Sequence, residues 1–337
     1  MTIASLLSKL PYVSFLKRTE AQSRRTARNL EAFLHHQAGL PSDYRVDTLT
    51  RRMPAVERRA VPIIKPGSYW WMEHAVYDGR PIVFQGRRLT YFCAQERYRT
   101  DSAMVVGIAE SDSAAPIKPA PVIFPDRERH GIGIPAFTVF DGKVIAAYMD
   151  ADGLEQDMIV ASSDDGVSFE KQVIAEPFKT LDPTLKQIGL PWLLDDDGTL
   201  MVYFRGKGQG RSCLVRAELD LEELRLSNFE FHWCAENLIN VAVAKKHDHY
   251  WLFYGATHGG GFYVKLSRDG INFSEQSVML VDPADHGWDW DFGKIAASPG
   301  NRFEADSTIC YLGTAGGKMA IGEARLELAN ILPVFEL

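Results

Sequence analysis

PWLLDDDGTLMVYF, Pro191–Phe204, reads as an apolar strand, a tight Asp-Gly turn and a second apolar strand ending on an aromatic. Glycine accepts the positive φ such a turn needs, and the aspartates before it are turn formers. Four more stretches share the design: PIVFQGRRLTYF (Pro81–Phe92), PAFTVFDGKVIAAY (Pro135–Tyr148), VAVAKKHDHYWLFY (Val241–Tyr254) and KIAASPGNRFEADSTICY (Lys294–Tyr311). Their closing aromatics, Phe92, Tyr148, Phe204, Tyr254 and Tyr311, are 56, 56, 50 and 57 residues apart. Self-similarity at such intervals marks a repeated supersecondary unit.

A third strand follows each hairpin: AMVVGIAES, DMIVASSDD, SCLVRAELD, GFYVKLSRD and KMAIGEARLE. Fourth-strand candidates come next: APVIFP, KQVIAE, FEFHW, QSVMLV and, last, ILPVFEL. Five units of four strands predict an all-β fold, a five-bladed β-propeller with four-stranded blades. The strands run apolar on both faces because each blade is covered by its neighbours. The Ala60–Trp71 segment is expected to help close the ring. Two matching turns, Ser163–Phe169 and Ser267–Phe273, lie 104 residues apart, about two blades. Their aspartates, like Asp141, Asp196 and Asp197, read as turn residues rather than catalytic groups.

The chain of 337 residues is 46% hydrophobic and 24% charged, as folded globular proteins are. A net charge of -7 argues against a general nucleic-acid binder, which needs a basic surface. Charge divides the chain: residues 1–58 hold ten Lys/Arg and five Asp/Glu, +5, which leaves -12 for the rest. Ser14–His36 has helix-forming composition with an apolar stripe of Leu30, Phe33 and Leu34. The expected organisation is a basic N-terminal helical arm, 1–58, and a propeller, 59–337. The arm is a candidate contact for a homo-oligomer.

No window reaches about 18 apolar residues, so no membrane span is expected. The four cysteines form no C-x-x-C pair, and the expected setting is the cytoplasm with reduced thiols. No cofactor or metal is expected; His247-Asp248-His249 reads as a turn. His258-Gly259-Gly260-Gly261 has no G-x-S-x-G partner, and Gly206–Ser212 lacks phosphate-loop spacing, so both read as loops.

Propeller topology sorts the polar residues. Inner-strand starts and the loops between second and third strands share one face, and the Asp-Gly hairpins take the other. The first face collects Trp71, Glu73, His74 and Asp78, then Glu96 and Arg97, His130, Arg205, Glu236, His258, Trp290 and Asp291. Indoles stack on the C–H faces of sugars, and charged groups bind hydroxyls in pairs. Clustered carboxylates also push one another's pKa values apart, so one can act as acid while another stays ionised. A carbohydrate or glycoside is the expected ligand.

The repeats and the S-x-D-G-x-x-F turns resemble the five-bladed glycoside hydrolases of families 43, 32 and 130, over about residues 60–337. The resemblance implies an aspartate opening blade one, an aspartate opening blade two and a glutamate opening blade three. Asp78 or Glu73 matches the first. Blade two opens with His130–Pro135 and blade three with Gln187–Pro191, neither carrying an acid, so Glu236 and Asp291 become the other candidate catalytic carboxyls. Hydrolysis needs one carboxyl to protonate the leaving oxygen and a second to attack or to activate water. Two alternatives stay open. The cations Arg97, Arg99, Arg205, Lys207 and Arg211 suit a phosphorylase or glycosyl transferase acting on a phosphorylated or acidic sugar. The missing acids suit a non-catalytic glycan-binding propeller in polysaccharide assembly.

Overall fold

The computed structural model describes residues 56–58, 62–67, 69–95, 104–110, 121–123, 132, 135–149, 158–174, 185–208, 211–234, 238–256, 262–281, 297–315 and 318–335. Their strands form five antiparallel sheets. Blade one holds β2 (Ala75–Phe84), β3 (Arg87–Gln95) and β4 (Val105–Glu110). Blade two holds β5 (Ala136–Phe140), β6 (Lys143–Met149), β7 (Met158–Ser163) and β8 (Glu170–Ile174). Blade three runs from β9 (Leu185–Asp196) through β10 (Thr199–Gly208) and β11 (Arg211–Asp220) to β12 (Arg225–Cys234). Blade four comprises β13 (Leu238–Lys246), β14 (His249–Ala256), β15 (Phe262–Ser267) and β16 (Val278–Val281). Blade five orders β17 (Ala297–Ser298), β18 (Thr308–Ala315), β19 (Lys318–Leu326) and, outermost, β1 (Val56–Arg58).

The inner strands touch in the order β2, β5, β9, β13, β17 and back to β2. The chain is therefore the expected five-bladed propeller, with mostly four-stranded blades. All five closing aromatics are at most 2% exposed. Burying each contributes roughly 1.5–3 kcal/mol. Burial is continuous along β6, from Val144 to Met149, because neighbouring blades cover both faces. The outer strand β8 instead exposes Glu170, which suits a sheet edge open to water. In blade one the APVIFP stretch is a fragment of a fourth strand: Val106 N donates to Ile123 O at 3.0 Å and Val122 N to Val106 O at 2.7 Å.

Closure corrects one expectation. ILPVFEL does not form the fourth strand of blade five: its described part, Ile331–Phe335, belongs to a helix, Leu328–Phe335. Leu328 and Ile331, one turn apart, are its buried residues. Pro333 has no N–H to give a strand ladder, and it lies inside the helix at the loss of one intrahelical hydrogen bond. The outer place goes to β1, paired Val56↔Leu326 to Arg58↔Ala324. Ile63 and Ile64, in the segment expected to help closure, exchange backbone hydrogen bonds with Ile321. The start of the propeller thus completes its last blade. The helical arm expected over Ser14–His36 lies outside the described residues.

Blade five differs in its first hairpin too, where a short helix, α1 (Arg302–Asp306), replaces a tight turn. Arg302 is buried there and pairs with Glu323 at 2.9 Å and Asp306 at 3.2 Å. The C-terminal helix Leu328–Phe335 is α2.

Candidate functional site

Strand β2 pairs with β3 up to Tyr77↔Cys93 and again from Arg80↔Tyr91. Asp78 and Gly79 therefore stand together opposite Phe92, a β-bulge in the innermost strand of blade one. Bulges re-aim a side chain and gather near functional sites. Asp78 sits at φ 48°, a left-handed conformation that aspartate tolerates better than most residues. At Gly79 an added Cβ would lie 2.7 Å from Ile321 Cγ2 and 3.1 Å from Cys310 Cβ, so blade five closes directly on the bulge. Asp78-Gly79 is thus an irregularity inside a strand and not a hairpin turn.

Asp78 is only 6% exposed and accepts no hydrogen bond from any described residue. Burial pushes its carboxyl pKa up, and the charge of Arg80 draws it part of the way back. An ionised carboxylate without donors is costly in such a place, which favours the protonated form.

Arg80 is equally buried and holds the axis together. Its Nε donates to Pro135 O of blade two at 3.1 Å, and Nη1 donates to Ser298 Oγ of blade five. The guanidinium carbon stands 4.6 Å from the ring centroid of Trp192 in blade three. Trp192 Nε1 in turn donates to Val243 O of blade four at 2.6 Å. Two side chains tie together the inner strands of all five blades.

Around the expected ligand face, Tyr77 OH donates to Gln95 Oε1 at 2.5 Å and Arg205 Nη1 to Leu238 O at 3.2 Å. Burial lowers the pKa of Arg205. Lys318 Nζ donates to Glu73 O at 2.8 Å, so blade five's second-to-third-strand loop braces the start of blade one. Glu73 is half-buried and His74 exposed. Trp71 departs from its expected place against a ligand: it is 1% exposed and stacks on Tyr69 at 6.1 Å and Phe92 at 5.9 Å, within the core. Glu96, Arg97, His130, Glu236, His258, Trp290 and Asp291 lie outside the described residues.

The other aspartates behave as turn formers. Asp165 Oδ1 accepts from Ser163 Oγ, Val167 N and Ser168 N at 2.6–2.9 Å. Asp269 Oδ1 accepts from Ser267 Oγ, Ile271 N and Asn272 N at 2.8–3.0 Å. Backbone donors hold the Asp165 carboxyl well below the usual range. Hydrogen bonds from Asn272, Ile271 and Ser267 do the same for Asp269 against a desolvation that opposes them. Both turns also staple blades: Tyr91 OH donates to Gly166 O at 2.6 Å and Tyr203 OH to Gly270 O at 3.0 Å. On the hairpin face Lys245 Nζ holds Asp196 and Asp197, each at 2.6 Å. His247 and Asp248 form a turn with φ of 54° and 59°.

At that end of the axis a cavity of about 230 Å³ is lined by Thr138, Trp192, Asp195, Asn301 and Glu304, among others. Partial burial, then the charge of Asp195, push Glu304 up to about 7. Sequence reading missed Arg80, Trp192, Ser298 and Glu304 as axis residues. The available signal was an arginine just after Asp78-Gly79 and before the apolar run of an inner strand, Asp78-Gly79-Arg80-Pro81-Ile82.

No family profile matches the chain, and no curated protein does. Solved structures match most of its length. A putative glycosidase from Bacteroides thetaiotaomicron is 14% identical, with TM-score 0.58, over 82% of this chain and 98% of that one. A family 43 glycoside hydrolase from Xanthomonas citri is 18% identical, with TM-score 0.56, over 78% and 89%. A family 117 glycoside hydrolase from Zobellia galactanivorans is 13% identical, with TM-score 0.57, over 82% and 91%. At such identities the likeness is one of fold: the protein is a five-bladed β-propeller resembling the glycoside hydrolases of families 43 and 117.

Proposed function

We propose that the chain is a carbohydrate-active enzyme of glycoside hydrolase type, with Asp78 as a proton-transferring carboxyl at the propeller axis. The observation that carries this reading is Asp78 itself: buried, without a hydrogen-bond donor among the described residues, and held at positive φ in a bulge. Strained backbone persists where function requires it. A carboxyl that keeps its proton longer than an ordinary aspartate suits donation to a leaving glycosidic oxygen. Glu236 and Asp291, which open blades four and five in sequence, are the proposed sources of the second carboxylate, the one that attacks or activates water.

The test is turnover of a panel of aryl glycosides, with and without inorganic phosphate, by the native chain and by Asp78→Asn. Turnover lost in the variant supports the reading, and equal turnover in both removes Asp78 from it. Phosphate dependence would move the assignment to a phosphorylase. One observation favours a second reading, a glycan-binding propeller without catalysis: the openings of blades two and three, His130–Pro135 and Gln187–Pro191, supply no carboxyl. Saturable glycan binding without turnover would select it.

A further inference from the structure

Among the described residues three large apolar side chains are substantially exposed: Trp70 at 63%, Phe231 at 39% and Val173 at 37%. Phe231 lies on β12 and Val173 on β8, the outer strands of blades three and two. Trp70 alone lies where an inner strand begins, on the face that carries Glu73, His74, Tyr77 and Gln95. A lone exposed indole needs no explanation by itself. The way this one is held does.

Trp70 opens a single 3₁₀ turn, Trp70–Met72, immediately before β2. Its two successors are anchors, Trp71 and Met72, each 1% exposed. Met72 N donates to Tyr69 O at 3.0 Å and Gly67 N to Met72 O at 3.2 Å, and Lys318 ties down Glu73 O from blade five. The turn is therefore fixed on both sides while its first side chain stands in water. In a 3₁₀ helix, residues three apart eclipse one another. Glu73, which continues the turn at φ -70°, ψ -30°, accordingly rises on the same side as Trp70. Its carboxylate takes no ion pair or hydrogen bond from a described residue.

We propose that Trp70 and Glu73 form a sugar-binding subsite, in which the indole stacks on the C–H face of a neutral sugar ring and the Glu73 carboxylate accepts from that ring's hydroxyls. An indole supplies apolar area with little rotamer entropy, and an ionised acceptor beside it fixes orientation. The pair stands just before β2, whereas Asp78 lies inside that strand. It therefore takes a ring other than the one at Asp78, and the ligand is an oligosaccharide of at least two units. The subsite rests on the carbohydrate reading above and not on catalysis by Asp78.

The test titrates arabinotriose, xylotriose, mannotriose and a fructose trisaccharide, with the matching monosaccharides, into the full chain and into Trp70→Phe, Trp70→Ala and Glu73→Gln. Asp78→Asn is titrated in parallel, so that binding is read without turnover. The readouts are tryptophan emission, its quenching by acrylamide, and calorimetry. At least one trisaccharide should bind and shield an exposed tryptophan, its monosaccharide binding tenfold more weakly or worse. Trp70→Ala should lose the shielding and tenfold or more in affinity, Trp70→Phe should keep most of the affinity, and Glu73→Gln should lose several-fold. Unchanged affinity in Trp70→Ala, or no shielding by any of the four trisaccharides, would overturn the proposal. Trisaccharide binding by a native chain that turns over no aryl glycoside would leave the subsite standing and remove only the hydrolase reading.

Discussion

Asp165 and Asp78 are both followed by glycine, and the molecule treats them in opposite ways. Asp165 sits at the rim of blade two, exposed, with donors on both oxygens, and its carboxyl is held strongly acidic. Asp78 sits at the axis, buried, with no donor among the described residues, and its carboxyl holds its proton longer than usual. Asp269 repeats the first pattern in blade four. A rim aspartate spends its oxygens on building the turn. An axis aspartate keeps them free, and a free carboxyl in a desolvated place is what proton transfer needs.

The largest test of this contrast removes the axis clasp. Trp192→Ala should cost about 3–5 kcal/mol, as large buried aromatics do, read by denaturant unfolding; a cost near zero would mean the blades do not depend on the clasp. Arg80→Met should cost about 3 kcal/mol, because Pro135 O and Ser298 Oγ lose their donor and Asp78 loses the cation beside it. The Asp78 carboxyl should then titrate higher still, which carbon-13 NMR of labelled aspartate reads directly.

Rim changes should be milder and should leave any activity intact. Asp269→Ala should cost about 1 kcal/mol through lost turn hydrogen bonds. The Asp269 carboxyl is acidic in the fold, so its contribution is present above about pH 4, the ordinary aspartate value, and fades as pH falls further. Native chain and variant should therefore converge in acid unfolding curves. Tyr91→Phe should cost about 1 kcal/mol by cutting the Gly166 staple.

At Asp78 the sign reverses. Its folded pKa is raised, so the folded chain binds more protons than the unfolded one and loses stability as pH climbs from about 4. Asp78→Asn should be more stable than the native chain at neutral pH and lack that slope, which thermal unfolding across pH measures. A less stable variant would mean that the carboxylate is satisfied where it sits.

Much of this was legible in the sequence because the blade repeats. Five hairpins with closing aromatics fix the blade count, and the S-x-D-G-x-x-F turns fall where third strands meet fourth ones. Closure was less legible. Strand β1 has three residues, too few to show a period, and LANILPVF fits a helix with Leu328 and Ile331 on one side. The site was legible only by side of the ring. Topology brought Glu73, His74, Asp78 and Arg205 towards one face, but which of two adjacent tryptophans turns outward depends on a 3₁₀ turn that no periodicity announces. Arg80 stayed hidden because its partners come from three other blades.

The most direct measurement compares Asp78→Asn with Asp165→Asn on an aryl glycoside that the native chain cleaves. Proton transfer by a positioned carboxyl is worth about 10²–10⁴ in rate. The account predicts kcat/KM down by that factor in Asp78→Asn and unchanged in Asp165→Asn. Equal activity in the two variants would contradict it.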